Sequence, residues 1–165
     1  MKILGVDPGL RVTGYGVINF SETKVRESAF ELIEAGIIKT TPKIGIAGRL
    51  AQIYDSLASV VSELKPDVIV IEKLYAHYKH PATAILMGHA RGAVCLLSGR
   101  EGVPLVSIAA THVKKSVTGK GHAPKRQIQR MVQYYLSLKE MPEPPDVADA
   151  LAIAIAHAFS QRKNG

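Results

Sequence analysis

The chain has 165 residues, 47% of them hydrophobic, which fits one domain spanning residues 1–165 with a sizeable core, and it shows neither an internal repeat nor a low-complexity segment. Its one cysteine, Cys95, excludes an internal disulfide and, within Ala93-Val94-Cys95-Leu96-Leu97, is expected as a small core residue in reducing surroundings. The net charge of +7 favours an anionic partner, while Asp7 in the first apolar stretch and Asp149 and His157 in the last exclude a signal peptide or membrane span there, so a cytoplasmic protein is expected.

Ile3-Leu4-Gly5-Val6-Asp7, followed by Pro8-Gly9, predicts a buried strand ending in a turn. Val12 to Phe20 predicts a strand returning antiparallel from that turn, and Ala29 to Lys39 a third strand. Ile46, Leu50, Ile53, Leu57, Val61 and Leu64 recur at helical spacing, giving a helix that stops before Pro66. Val68-Ile69-Val70-Ile71 is β-branched throughout and predicts a buried, parallel strand closed by Glu72. A helix from about Pro81 to Gly99 is rich in small residues, among them Ala84, Gly88 and Gly92, which suits either core packing or close approach of another helix. Pro104 to Ile108 predicts a short strand. Lys114 to His122 reads as a helix end running into a glycine-punctuated loop, and Pro124 opens a helix with Ile128, Met131, Val132, Tyr135 and Leu136 as its apolar stripe. In the last helix, opened by Pro144-Pro145, alanine at every second position from Ala148 to Ala158 joins Val147, Leu151, Ile153 and Ile155 to make a surface apolar nearly all round, hence buried. The order predicts an α/β fold, a mixed sheet flanked by helices.

Four acids stand against this pattern: Asp7 and Glu72 close apolar strands, and Asp146 and Asp149 lie three apart, on one face of the first turn of the buried helix. Each has an ordinary reading, as a turn acid, a salt-bridge partner or an N-cap. Together they are harder to dismiss. The helix dipole favours negative charge there by only about 0.3–1 kcal/mol, whereas burying an unpaired carboxylate costs several kcal/mol. If the two strands are parallel neighbours, Asp7 and Glu72 emerge side by side at their carboxyl ends, where open α/β sheets place ligands. A cation is therefore required, and an all-oxygen donor set suits Mg²⁺ or Mn²⁺ better than zinc.

From Lys73 to Lys139 the only acid is Glu101, while the bases include Lys79, Arg91, Lys114, Lys115, Lys120, Lys125, Arg126 and Arg130. A long stretch almost free of acids argues for a polyanion, with nucleic acid the leading candidate. Lys125 and Arg126 fall in a helix's first turn, where the dipole disfavours cations, a misfit that a bound phosphate would resolve. Among the histidines, His77, His80 and His122 read as loop residues and His89 and His157 as packed on helices. His112, beside the basic loop, is the better candidate for a phosphate contact, and none has zinc-ligand spacing.

The segments Gly5-Val6-Asp7-Pro8-Gly9-Leu10-Arg11-Val12-Thr13-Gly14-Tyr15-Gly16, Ile71-Glu72, Gly88-His89-Ala90-Arg91-Gly92, Val113 to Gly119 and Asp146-Val147-Ala148-Asp149-Ala150-Leu151-Ala152, in that order across essentially the whole chain, resemble the RuvC family of bacterial Holliday junction resolvases. The resemblance implies an RNase H-like fold with a mixed five-stranded sheet, and assigns Asp7, Glu72, Asp146 and Asp149 as catalytic, metal-binding carboxylates holding two Mg²⁺ ions, with Mn²⁺ as a substitute. It implies paired symmetric nicks in four-way junction DNA that leave 5′-phosphate and 3′-hydroxyl ends, a homodimer, and partnership with the RuvA-RuvB branch-migration complex. Lys114 and Lys125 match basic residues important for activity, Lys115, Lys120 and Arg126 extend the expected DNA surface, and Tyr75 stands where an aromatic, commonly phenylalanine, stacks on unpaired bases. The residues by themselves leave open an RNase H-like nuclease acting on RNA or other branched DNA, an actin-like phosphate-binding fold, and a non-catalytic junction-binding protein.

Overall fold

The computed structural model describes residues 1–24, 29–74 and 81–162; Tyr75, His77, Tyr78, Lys79 and His80 lie outside the described residues. Five strands, β1 (Lys2–Asp7), β2 (Val12–Phe20), β3 (Phe30–Lys39), β4 (Val68–Glu72) and β5 (Leu105–Ile108), form one sheet in the order β3-β2-β1-β4-β5. The helices are α1 (Gly45–Leu64), α2 (Pro81–Glu101), α3 (Ala110–Thr118), α4 (Lys125–Tyr135) and α5 (Pro145–Arg162). β1 pairs antiparallel with β2 and parallel with β4, so the expected mixed sheet is present, and the two acid-terminated strands are neighbours.

Strand alternation divides the core. Leu4, Val6, Ile69 and Ile71 face one side and pack under α1 and α2 with Ile53, Leu57, Val94 and Leu97. Ile3, Val70 and Ile18 face the other and pack under α3, α4 and α5. With a period of two, Asp7 and Glu72 point to the α5 side of the sheet. Val6 is opposite Ile71, so the next residue of each strand leaves the sheet beside the other.

On that side the stretch of β1 and β2 next to Asp7 offers α5 almost no side chain. Gly5 is paired with Gly16, and Asp7 with Gly14. A Cβ at Gly5 would lie 2.1 Å from the Ala150 carbonyl oxygen, one at Gly14 2.1 Å from that of Asp146, and one at Gly16 2.4 Å from the Leu151 side chain. The alanine-rich helix therefore beds backbone against backbone, and its first turn is carried to the end of β1. Burial of Val147, Ala148, Ala150 to Ala156 and Ala158 follows directly.

Two expectations fail for one reason, namely that α2 is covered on one side only. Cys95 is exposed, not in the core, because Ala93, Val94 and Leu97 take the buried face of the helix. His89 is likewise exposed. His157 is buried as expected, and burial lowers its pKa. No described helix is long and apolar enough to cross a membrane.

Gly14→Ala should lower thermal stability by about 1–3 kcal/mol, the usual cost of overpacking. Gly99→Ala, in α2 with open space around its Cβ, should raise it by about 0.5–1 kcal/mol. Calorimetric melting of both variants checks the contrast.

Candidate active site

The turn after β1 is tied by Thr13, which is fully buried: its hydroxyl donates to the Gly9 carbonyl at 2.8 Å and accepts from the Gly9 N–H at 3.4 Å. This clasp fixes the chain as it leaves Asp7. Two cavities open there. The first, of about 430 Å³, is lined by Asp7, Glu72, Lys73, Met87 and Arg91 among others. The second, of about 320 Å³, is lined by Asp7, Glu72 and Asp149 together with Lys114 and Lys125. Asp7, Glu72, Met87 and Ala110 border both, so the two carboxylates stand between the chambers.

The carboxylates interact through space. Burial pushes the Asp7 carboxyl up to about 7, assisted in order by Asp149, Glu72 and Asp146, while Lys125 opposes the rise. Burial likewise raises Glu72, with Asp149 adding to it and Lys114 and Lys125 acting against it. Asp146 lines neither cavity, yet it is close enough to act on Asp7. All four acids singled out in the sequence therefore meet in one electrostatic environment.

Lys125 shows where a cation is wanted. Its Nζ lies 3.1 Å from Asp149 Oδ2, and this contact raises the lysine's own pKa. The first turn of α4 tolerates the charge because Asp149 of α5 answers it, so the misfit seen in the sequence has a partner within the chain. Lys114 shares the second cavity. Lys115 does not; it lines a separate cavity of about 540 Å³ with His112, Ser116 and Arg162, where His112 Nε2 is 3.2 Å from Ser160 Oγ. Lys120 and Arg126 are exposed and border neither acidic cavity. Sequence reasoning counted Arg91 only as one of the bases of the acid-poor stretch, and gave no individual role to Arg91, Met87 or Thr13. Arg91 could have been found as the base of the only arginine-bearing turn in the middle of α2, but nothing in the sequence shows which way it points.

The RuvC family model, described as crossover junction endodeoxyribonuclease RuvC, matches residues 3–157. The chain belongs to the RuvC family. It is 46% identical over 153 residues to the RuvC of Rhodopirellula baltica, covering 93% of this chain and 83% of that one. It is 42% identical over 160 residues to the RuvC of Caldicellulosiruptor saccharolyticus, covering 97% and 93%. Among solved structures, Thermus thermophilus RuvC in complex with a Holliday junction substrate aligns with a TM-score of 0.89 at 32% identity, over 99% of this chain and 96% of that one. The yeast mitochondrial resolvase Ydc2, at 14% identity and a TM-score of 0.61, shares the fold. These relatives establish the RNase H-like architecture expected from the sequence.

Membership of the RuvC nucleases implies dependence on a divalent metal. The donor set fits one: all four side chains are hard carboxylate oxygens, and their mutual repulsion is what a dication relieves. Among the described residues no three acids, histidines or cysteines close on one point.

Asp7 carries a pH signature. In the unfolded chain it loses its proton near 3.8, and in the fold near 7, so its contribution to stability is fully present below about pH 4 and is lost as pH rises through 7. Asp7→Asn should therefore melt higher than the wild type in EDTA at pH 8. The gap should shrink as the pH falls and close below about pH 4; equal melting at pH 8 would show that the carboxylate is not under this load.

Proposed function

We propose that this chain is a structure-selective endodeoxyribonuclease that resolves Holliday junctions in recombination and repair, by paired symmetric nicks that leave 5′-phosphate and 3′-hydroxyl ends. The observation that carries the reading is Asp7 and Glu72 side by side between two cavities, with Asp149 of the packed helix completing the acidic wall and Lys114 and Lys125 facing it. The likeness to the Thermus thermophilus RuvC solved with a junction substrate supports the choice of DNA substrate.

Asp7, Glu72, Asp146 and Asp149 would hold two Mg²⁺ ions, or Mn²⁺ in their place. When bound, such ions supply a water of lowered pKa as nucleophile and stabilise the charge on the departing 3′-oxygen. The chain's own residues do the rest. Asp7 must be ionised to serve as a ligand, and a cation beside it brings its proton loss below pH 7. Lys114 and Lys125 set positive charge on the phosphate path, and Lys125 can leave Asp149 once another cation takes that carboxylate. Lys115, Lys120 and Arg126 lie outside the acidic cavities and would contact backbone further along the arms, holding position without reading sequence.

Two symmetric cuts require two sites related by a two-fold axis, and one chain supplies one site. The surface that fits a second copy is the uncovered side of α2. Ile85 is 62% and Leu96 57% exposed, and a groove of about 460 Å³ between α1 and α2 is lined by Leu50, Tyr54, Gly88, Gly92 and Leu96. Gly88 and Gly92, one turn apart, let a partner helix approach closely.

Glu72→Gln should reduce cleavage of a synthetic junction by several orders of magnitude while leaving its binding in Ca²⁺ within about threefold; cleavage at the wild-type rate would sink the assignment. Leu96→Glu should convert a dimer to a monomer in sedimentation velocity and uncouple the paired nicks. A wild-type monomer in the presence of junction DNA would overturn the dimer.

A further inference from the structure

The end of β4 has a missing hydrogen bond in its ladder. Ile69 and Lys73 donate their N–H groups to Pro104 and Ile108, on the β5 side. By strand alternation Val70 and Glu72 turn their backbone groups toward β1. With Val6 opposite Ile71, the parallel pattern gives the Glu72 carbonyl a donor two residues beyond Val6, which is Pro8. Proline has no N–H. The carbonyl of the acid that must be held still is the one the sheet cannot satisfy.

Arg91 fills the gap from α2. Its Nη1 donates to the Glu72 carbonyl oxygen, and its Nη2 donates to Ser107 Oγ of β5 at 2.7 Å. Ser107 is the register partner of Ile71, so the guanidinium fork spans β4 and β5 at the last turn of the sheet before the acid. The side chain is half-buried and also lines the first acidic cavity. Both acceptors are neutral. A residue placed only to offset the acids would face a carboxylate, whereas this one grips main chain and hydroxyl, and its rigid planar fork is suited to holding two acceptors at fixed positions.

We propose that Arg91 is a positioning residue of the metal site: it replaces the ladder donor that Pro8 removes and so fixes the backbone from which the Glu72 carboxylate reaches its ion. The inference rests on the resolvase reading. Arg91→Lys keeps the charge but cannot supply two N–H groups in a fork, and Arg91→Met removes both. Each should lower kcat on a synthetic junction by roughly 10- to 100-fold, the cost of about an ångström of misplacement. Each should also raise several-fold the Mg²⁺ concentration needed for half of the metal-induced rise in Tm, measured without DNA, while junction Kd in Ca²⁺ and its salt dependence stay at wild-type values. Ser107→Ala, which removes one arm of the fork and no charge, should shift both readouts in the same direction by less, and keeps the test decisive if the arginine variants fail to fold.

Wild-type kcat and an unchanged Mg²⁺ midpoint in folded Arg91→Lys would overturn the proposal, as would a lowered Tm with both readouts intact, the mark of a merely structural brace. A defect confined to Kd with a shallower salt slope would reassign Arg91 to phosphate binding. The wild-type enzyme tested with Mg²⁺ and with EDTA separates the two levels: absence of metal-dependent cleavage there would defeat the functional reading itself, not this inference.

Discussion

The close approach of α5 to the β1–β2 ribbon is the contact on which the rest depends. With side chains at Gly5, Gly14 and Gly16, the helix would stand away from the sheet by at least the radius of a methyl group. Asp146 and Asp149 would then be carried away from Asp7. Backbone packed on backbone trades side-chain burial for position, and the alanine-rich face of α5 recovers apolar contact over a length of 18 residues. Packing supplies the energy that keeps like charges together, so the acidic site is loaded against itself before any ligand arrives.

That load accounts for the electrostatics around it. Asp7 is raised chiefly by burial and then by its acidic neighbours. Lys125, on a helix end that would otherwise repel it, leans to Asp149. Lys114 and Arg91 approach from α3 and α2, the first on the side of the second cavity and the second on the side of the first. In the proposed site a cation would relieve the acids and leave Lys125 free for phosphate. On that proposal metal and substrate would bind to complementary parts of one charge distribution, with an acid-lined chamber on either side of the Asp7–Glu72 wall.

Much of this was legible in the chain. Alternation and β-branching marked the strands, the Pro8-Gly9 turn marked where β1 ends, and acids interrupting apolar runs marked the site, because a buried carboxylate is costly without a purpose. Less legible were the features set by tertiary placement. Cys95 and His89 read as buried because α2 has little charge on any face; the structure covers one face and leaves the other open. The glycines at 5, 14 and 16 are visible as letters, but their use as a bed for α5 needs the register of two strands and the path of a helix distant in sequence. Arg91 was one base among many until its partners, Glu72 and Ser107, were seen to lie across two strands.

On the reading proposed above, the gathered carboxylates serve metal-dependent cutting of branched DNA. The most direct measurement is to map the ends produced when the purified protein is incubated with a synthetic immobile four-way junction and with a matched linear duplex, each in Mg²⁺ and in EDTA. Paired nicks placed symmetrically in the junction, carrying 5′-phosphates, absent from the duplex and abolished by EDTA, are the predicted result. Equal cutting of both DNAs, or junction cutting that survives EDTA, would contradict it.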